Sequence, residues 1–223
     1  MIKIYESFEN LDDAKKQNII NAGFRIFGEY GYSKASIDDI VKEAGISKGS
    51  FFYYFVSKKN CFIYLYEYAV SKSKQLIDIP GDDGLPKYFE KTDFFERLDA
   101  VKERKINLTI LYPYMNSFVK KAYFERSQDV YQEIQLINQR IVHERISDFF
   151  YKLDLYKFKD DVEPNMVLQL ISWCSEGAVN QIRLVNSMNP NKKNDEIDYK
   201  EVIQLYDKYV SMIKKNFYKE KYL

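Results

Sequence analysis

The chain has 223 residues, 46% of them apolar and 30% charged, with 34 basic side chains against 33 acidic ones. That is enough apolar chain for one small and one larger packed domain. The balanced charge provides no overall positive field for nucleic acid, and residues 1–60 carry nine Lys/Arg against eight Asp/Glu. Any anionic partner must therefore be met by the placement of charge, not by its bulk. No run approaches the roughly 18 apolar residues of a membrane span. The N-terminus, Met1-Ile-Lys-Ile-Tyr-Glu-Ser-Phe-Glu-Asn10, lacks a signal-peptide core. Cys61 and Cys174 each sit in an apolar helical pattern and read as free thiols of a reducing compartment. A cytoplasmic chain with no membrane partner is expected. A single histidine, no phosphate-binding glycine loop and no Cys/His metal spacing argue against an enzyme, a metal site or a cofactor.

Punctuation separates helices along the whole chain, and nothing reads as a strand pair. Residues 36–58 are the most informative stretch. Ser36 reads as an N-cap, with Asp39 three residues on as in a capping box, and Ile37, Ile40, Val41 and Ala44 share one face. Gly45 stands where a helix-to-helix turn requires positive φ. Ser47 can cap a second helix of about two turns carrying Lys48, Ser50, Tyr53 and Tyr54, and Ser57 a third over about 57–77. Ile46, Phe51 and Phe55 complete a miniature core with the four apolar residues before the turn. This is the layout of a helix-turn-helix, whose second helix enters the major groove.

No proline precedes Pro80, and Pro80-Gly-Asp-Asp-Gly-Leu-Pro86 reads as a loop. A helix follows from Thr92 or Asp93 toward Leu111, and a short one opens at Pro113, since proline is tolerated in a first turn. Ser127 is expected to cap a long helix with Val130, Ile134, Ile137, Ile141 and Phe149 along one side. Glu163-Pro164 opens another that ends near Ser187. Residues 189–195 form a polar loop, and a last helix fills about 196–218. In it Val202, Leu205, Tyr209, Met212 and Phe217 recur at helical spacing, as Met166, Leu170, Trp173, Gly177, Gln181, Leu184 and Met188 do in the helix before.

The stretch Ile19-Ile-Asn-Ala-Gly-Phe-Arg-Ile-Phe-Gly-Glu-Tyr-Gly-Tyr32, followed by Ser36 to Ile40 and by Ala44-Gly-Ile-Ser-Lys-Gly-Ser-Phe-Phe-Tyr-Tyr-Phe-Val-Ser-Lys58, resembles the DNA-binding head of the TetR family of transcriptional regulators over roughly residues 14–68. The resemblance implies an all-α chain of about nine helices. A three-helix helix-turn-helix head (1–56) would precede a larger ligand-binding and dimerisation body (57–223). It further implies a regulator of transcription, most simply a ligand-released repressor, acting as a homodimer on a near-palindromic double-stranded DNA operator. The DNA-contacting residues would be Ser36, Lys48, Gly49, Ser50, Tyr53, Tyr54 and Lys58, with Lys58 as a phosphate clamp at a helix N-terminus. Phe52 stands where the family usually has tyrosine, and Tyr54 where it usually has histidine, so the operator sequence is not readable.

In TetR-like proteins the last two helices pair with their copies as a four-helix bundle, which assigns 164–188 and 196–218 to the dimer. Ligand pockets diverge in the family. Aromatic residues make up 17% of the chain, which suits a small apolar or aromatic effector. Tyr112, Tyr114, Met115, Phe118, His143, Trp173 and Glu176 are the pocket residues expected. The competing reading is a DNA-anchored interaction protein of the same fold that docks a protein partner instead.

Overall fold

The computed structural model describes residues 5–188 and 199–223. Among them are ten α-helices: α1 Glu6–Glu9, α2 Asp13–Lys34, α3 Ile37–Ala44, α4 Lys48–Phe55, α5 Lys58–Ile77, α6 Phe94–Leu111, α7 Pro113–Tyr123, α8 Tyr131–Phe150, α9 Pro164–Ser187 and α10 Tyr199–Phe217. No strand occurs among the described residues; only isolated bridges do, at Pro80 with Pro86 and Phe158 with Tyr218. The all-α class is as the sequence leads one to expect. The expected loop at 189–195 and residues 196–198 of the last helix lie outside the described residues. No helix among those described is long and apolar enough to cross a membrane.

The chain divides into two compact units, Met1–Lys91 with Glu96–Lys152, and Thr92–Phe95 with Leu153–Leu223. In the first, α2 is central. Its side chains at Ile19, Ile20, Phe24 and Phe27 are almost fully buried, a spacing that forms one apolar stripe. Phe27 packs edge-on against Phe62 of α5 at 5.0 Å, and Phe118 of α7 packs against Phe24 and Phe62 at 5.3 and 5.2 Å. Gly28 permits a close approach of two backbones. A Cβ there would stand 3.1 Å from the backbone nitrogen of Phe118, so any side chain would push α7 away. Helix α2 bends at Gly31 (φ 73°).

Two elements differ from the sequence expectation. Helix α1 is one turn long, too short to leave a periodic pattern, yet its Phe8 is fully buried against Phe55 and Tyr64 at 4.7 and 5.1 Å. Ser127 does not cap α8 through its side chain; the helix begins at Tyr131. A turn intervenes because the Ser127 carbonyl accepts from Val130 and Tyr131 N–H while its own N–H donates to Glu125 Oε1.

Arg97 of α6 is the largest fully buried side chain. Its guanidinium donates to the carbonyls of Lys91, Phe89, Phe149 and Tyr151 at 2.8, 3.0, 2.8 and 2.5 Å. The loop before α6 and the end of α8 are thereby joined. Burial holds the Arg97 pKa below the ordinary arginine value.

In the second unit, α9 packs on α10 through Val167, Ile171 and Ala178 on one side and Val202, Tyr206, Val210 and Ile213 on the other, all buried. Asp93 accepts from Phe95 N–H at the start of α6, from Lys157 Nζ and from Tyr218 Oη. The rings of Phe94, Phe95, Phe158 and Tyr218 cluster beside it.

Candidate nucleic-acid interface

Three serines set the local geometry. Ser36 Oγ accepts from Asp39 N–H (3.0 Å) and donates to its carboxylate, Ser47 Oγ accepts from Ser50 N–H (3.0 Å), and Ser57 Oγ accepts from Asn60 N–H (3.1 Å). Each satisfies an orphan donor of a helix start. Gly45, in the left-handed region at φ 65° and ψ 35°, closes α3. Ile40, Val41, Phe51 and Phe55 are buried, with Ile37, Ala44 and Ile46 packed against them. Helices α3 and α4 are thus joined by a rigid turn, and only one face of α4 is free.

That free face carries Lys48, Gly49, Phe52 and Tyr53, all exposed, with Tyr53 70% accessible. Lys48 Nζ lies 2.9 Å from Asp38 Oδ1, an ion pair open to solvent on both sides and so readily exchanged for a phosphate or a base. Ser50 is half-buried, its hydroxyl 2.9 Å from that of Ser47. Ser36 is half-buried at the start of α3.

Tyr54 corrects the sequence expectation. It is only 6% exposed and packs 6.0 Å from Phe8, so its ring cannot enter a groove. Phe51, Tyr54 and Phe55 follow the i, i+3, i+4 rule for an inward face, and the unforeseen α1 covers that face. The outward aromatic pair is Phe52 with Tyr53, not Tyr53 with Tyr54. The missed signal was Phe8, an apolar residue amid polar ones near the N-terminus.

Lys58 is also more embedded than an exposed clamp. Its ammonium donates to the carbonyls of Tyr32 (3.0 Å) and Ala35 (3.2 Å) and sits 4.5 Å from the Tyr32 ring centroid. It thus neutralises the carbonyl end of α2 while starting α5.

Between α4 and α5 the backbone is strained. Val56 has φ 65° and ψ −36°, and Ser57 N–H donates to the Phe55 carbonyl at 2.7 Å. This is a γ-turn of the rare positive-φ kind, on a β-branched residue. Val56 is 60% exposed, so its side chain contributes little burial in return. Val56→Gly is expected to stabilise the chain by about 1 kcal/mol, relief of strain exceeding the extra unfolded-state entropy. Thermal melting checks it, and a lower Tm would show that the valine side chain matters in some other way.

The head is held from a second side. Besides α5, helix α7 grips the end of α2. Ser117 Oγ donates to the Gly28 carbonyl (3.2 Å), Lys121 Nζ to the Glu29 carbonyl, and Tyr32 N–H to Glu125 Oε2 (3.1 Å).

The residues expected to hold a ligand are scattered. Tyr112, Tyr114 and Met115 line a cleft of about 880 Å³ between α2, the end of α3, α5 and the α6–α7 junction. Phe118 is fully buried in the α2–α5–α7 core, and His143 is exposed on α8. Trp173 and Glu176 are exposed on α9 in the second unit. His143, Trp173 and Glu176 do not line the cleft.

A capped pair of short helices joined at a left-handed glycine, with one face of the second left open, defines a helix-turn-helix DNA-binding protein. Residues 19–65 match the family described as bacterial regulatory proteins, tetR family. The biofilm operon icaADBC negative transcriptional regulator IcaR of Staphylococcus aureus (strain Newman) is 29% identical over 175 residues, 74% of this chain and 86% of that protein. The regulator YwcC of Bacillus subtilis (strain 168) is 36% identical over 70 residues, 31% of each chain. In fold, a TetR family regulator from Chloroflexus aurantiacus J-10-FL aligns with a TM-score of 0.63 at 18% identity, covering 96% of this chain and 98% of that one. The ketosteroid regulator KstR2 of Mycobacterium tuberculosis aligns with a TM-score of 0.61 at 15% identity, covering 95% and 98%. Residues 19–65 thus match the DNA-binding domain of the tetR kind, and the chain is similar in fold to TetR family regulators.

Proposed function

We propose that the chain is a repressor that binds a near-palindromic operator as a homodimer and leaves it when a small apolar or aromatic effector binds. The observation that carries the DNA-reading half is the exposed row Lys48, Gly49, Phe52 and Tyr53 on a short helix fixed by its caps and turn. Repression follows the negative regulator IcaR, to which the chain is similar. Residues 1–56 read DNA, with Ser36, Lys48, Gly49, Ser50 and Tyr53 at the duplex; residues 57–223 supply dimerisation and, together with α2 and the end of α3, ligand binding. Lys58 acts at the phosphate backbone by fixing the end of α2 and the start of α5, its charge shared with two carbonyls.

Dimerisation is supported by an apolar row on the outer side of α9. Met166 is 63% exposed, Trp173 66%, Leu184 57% and Met188 72%, and nothing stands within 4 Å of a Cβ added at Gly177. A row of this size on one helix calls for a partner. Two copies joined there would bring two recognition helices to two half-sites. The same row could instead dock a different protein, but the cleft lined by Tyr112, Tyr114 and Met115 favours an effector.

Selection of bound duplexes from a random pool, followed by binding titrations, tests this. Tyr53→Ala and Lys48→Ala are expected to weaken the selected site at least tenfold and to relax preference at one or two positions per half-site. Tyr54→Phe is expected to leave the preferred sequence unchanged. A pool that yields no enriched sequence, or a Tyr54→Phe protein that prefers a different one, would overturn the assignment of the reading face.

A further inference from the structure

We propose that the cleft between the helix-turn-helix and the α6–α7 junction is the effector site, and that its ligand is an aromatic carboxylate. The inference rests on the reading of the chain as a ligand-released regulator and specifies where release begins and what chemistry causes it. The cleft encloses about 880 Å³, within the range of small-molecule sites. Phe24 and Met115, 3% and 2% exposed, lie on its buried side, with Tyr68 and Tyr112 half-buried beside them. At its mouth Leu111 and Tyr114 are 69% and 55% exposed, apolar surface that a ligand would cover. An aromatic ring matches these walls by area and by ring geometry.

Charge selects the anion. The lining carries Arg25, Lys42 and Lys72 against the single carboxylate of Glu43. Glu43 is already taken, its Oε1 2.5 Å from Arg25 Nη1. Lys42 and Lys72 have no ion-pair partner among the described residues. Lys42 comes from α3 of the head and Lys72 from α5, so the cleft offers an anion positive charge from two separate elements. A neutral aromatic would gain nothing from either charge.

The position of the cleft explains release. Lys42, Glu43, Ala44 and Gly45 form one wall, and residues 111–115, at the α6–α7 junction, form another. Gly45 is the turn between α3 and α4, and α7 grips the end of α2 through Ser117 and Lys121. A ligand seated here touches the reading module and its holder together. It can favour a spacing of α3 from α7 that differs from the DNA-bound one, which is the differential affinity that release requires.

The test uses the full chain with 2-naphthoate as probe and 2-naphthalenemethanol as its neutral counterpart. Calorimetric titration is expected to show 2-naphthoate binding at least tenfold tighter than the alcohol. Lys72→Met should remove that preference, and Asn21→Trp, at an exposed lining position, should abolish binding of both, each variant keeping the parent melting temperature within a few degrees. Equal affinity for the two probes, or binding untouched by both substitutions, would overturn the proposal. Operator titrations with and without 2-naphthoate separate the two levels. A drop of about tenfold supports both, whereas tight, Lys72-dependent binding that leaves operator affinity unchanged keeps the site and refutes ligand release through it.

Discussion

Trp173→Glu is expected to yield a folded chain that no longer dimerises and that binds its operator at least a hundredfold more weakly. The two halves of this expectation have separate causes. Within one chain Trp173 is 66% exposed, so a glutamate there meets water and costs the fold little. Across a two-fold axis the same position would lie among Met166, Leu184 and Met188 of two copies, where an unpaired carboxylate costs several kcal/mol. Loss of the dimer uncouples two half-sites, and the effective-concentration advantage so lost is on the order of 10²–10⁴. Gly177→Trp, which meets nothing within 4 Å in its own chain, should act in the same direction by steric exclusion. Sedimentation with circular dichroism separates the cases. Intact dimers of Trp173→Glu would remove α9 from the interface, and unfolded monomers would mean that Trp173 is needed within the chain.

Arg97→Met is expected to lower stability by about 3 kcal/mol, which in a chain of this size shifts Tm by roughly 6–12 °C. Methionine matches the volume and removes the cost of a buried charge. It also leaves the carbonyls of Phe89, Lys91, Phe149 and Tyr151 without the donor they share. Those carbonyls belong to the loop before α6 and to the end of α8, so the segments lose their common tie. Arg97→Lys should recover less than half, because one ammonium cannot span acceptors arranged for a planar fork. A methionine variant melting within 2 °C of the parent would show that water satisfies these carbonyls at little cost.

What the sequence disclosed follows from how local each cause is. The caps at Ser36, Ser47 and Ser57 and the turn at Gly45 act over three or four residues, and all four stand as the spacing predicts. The apolar periodicity of α9 likewise separates into an inner face and an exposed outer row, whereas in α10 only Met212 of the expected row is exposed and Val202 packs inward. The misses are tertiary. Tyr54 faces inward because α1, one turn long, returns to cover it. Arg97 leaves no mark in the sequence, because two of its four carbonyl acceptors lie 52 and 54 residues downstream. Lys58 reads as a free cation because its acceptors lie 26 and 23 residues upstream. Of the seven residues expected to hold a ligand, three line one cleft, since residues 112–115 open a single helix. The others were drawn from helices whose packing no periodicity specifies.

The contact at Gly28 bears on how such a regulator can be recombined. The first 56 residues share one continuous core with α5, α7 and α8, from Phe8 to Ile137. A hybrid that grafts these residues onto the body of another regulator would carry a glycine notch cut for this α7, and carbonyls at Gly28 and Glu29 awaiting Ser117 and Lys121. Transplanting specificity therefore means moving α7 with the head, or changing only the outward side chains of α4 and leaving the graft boundary out of the design.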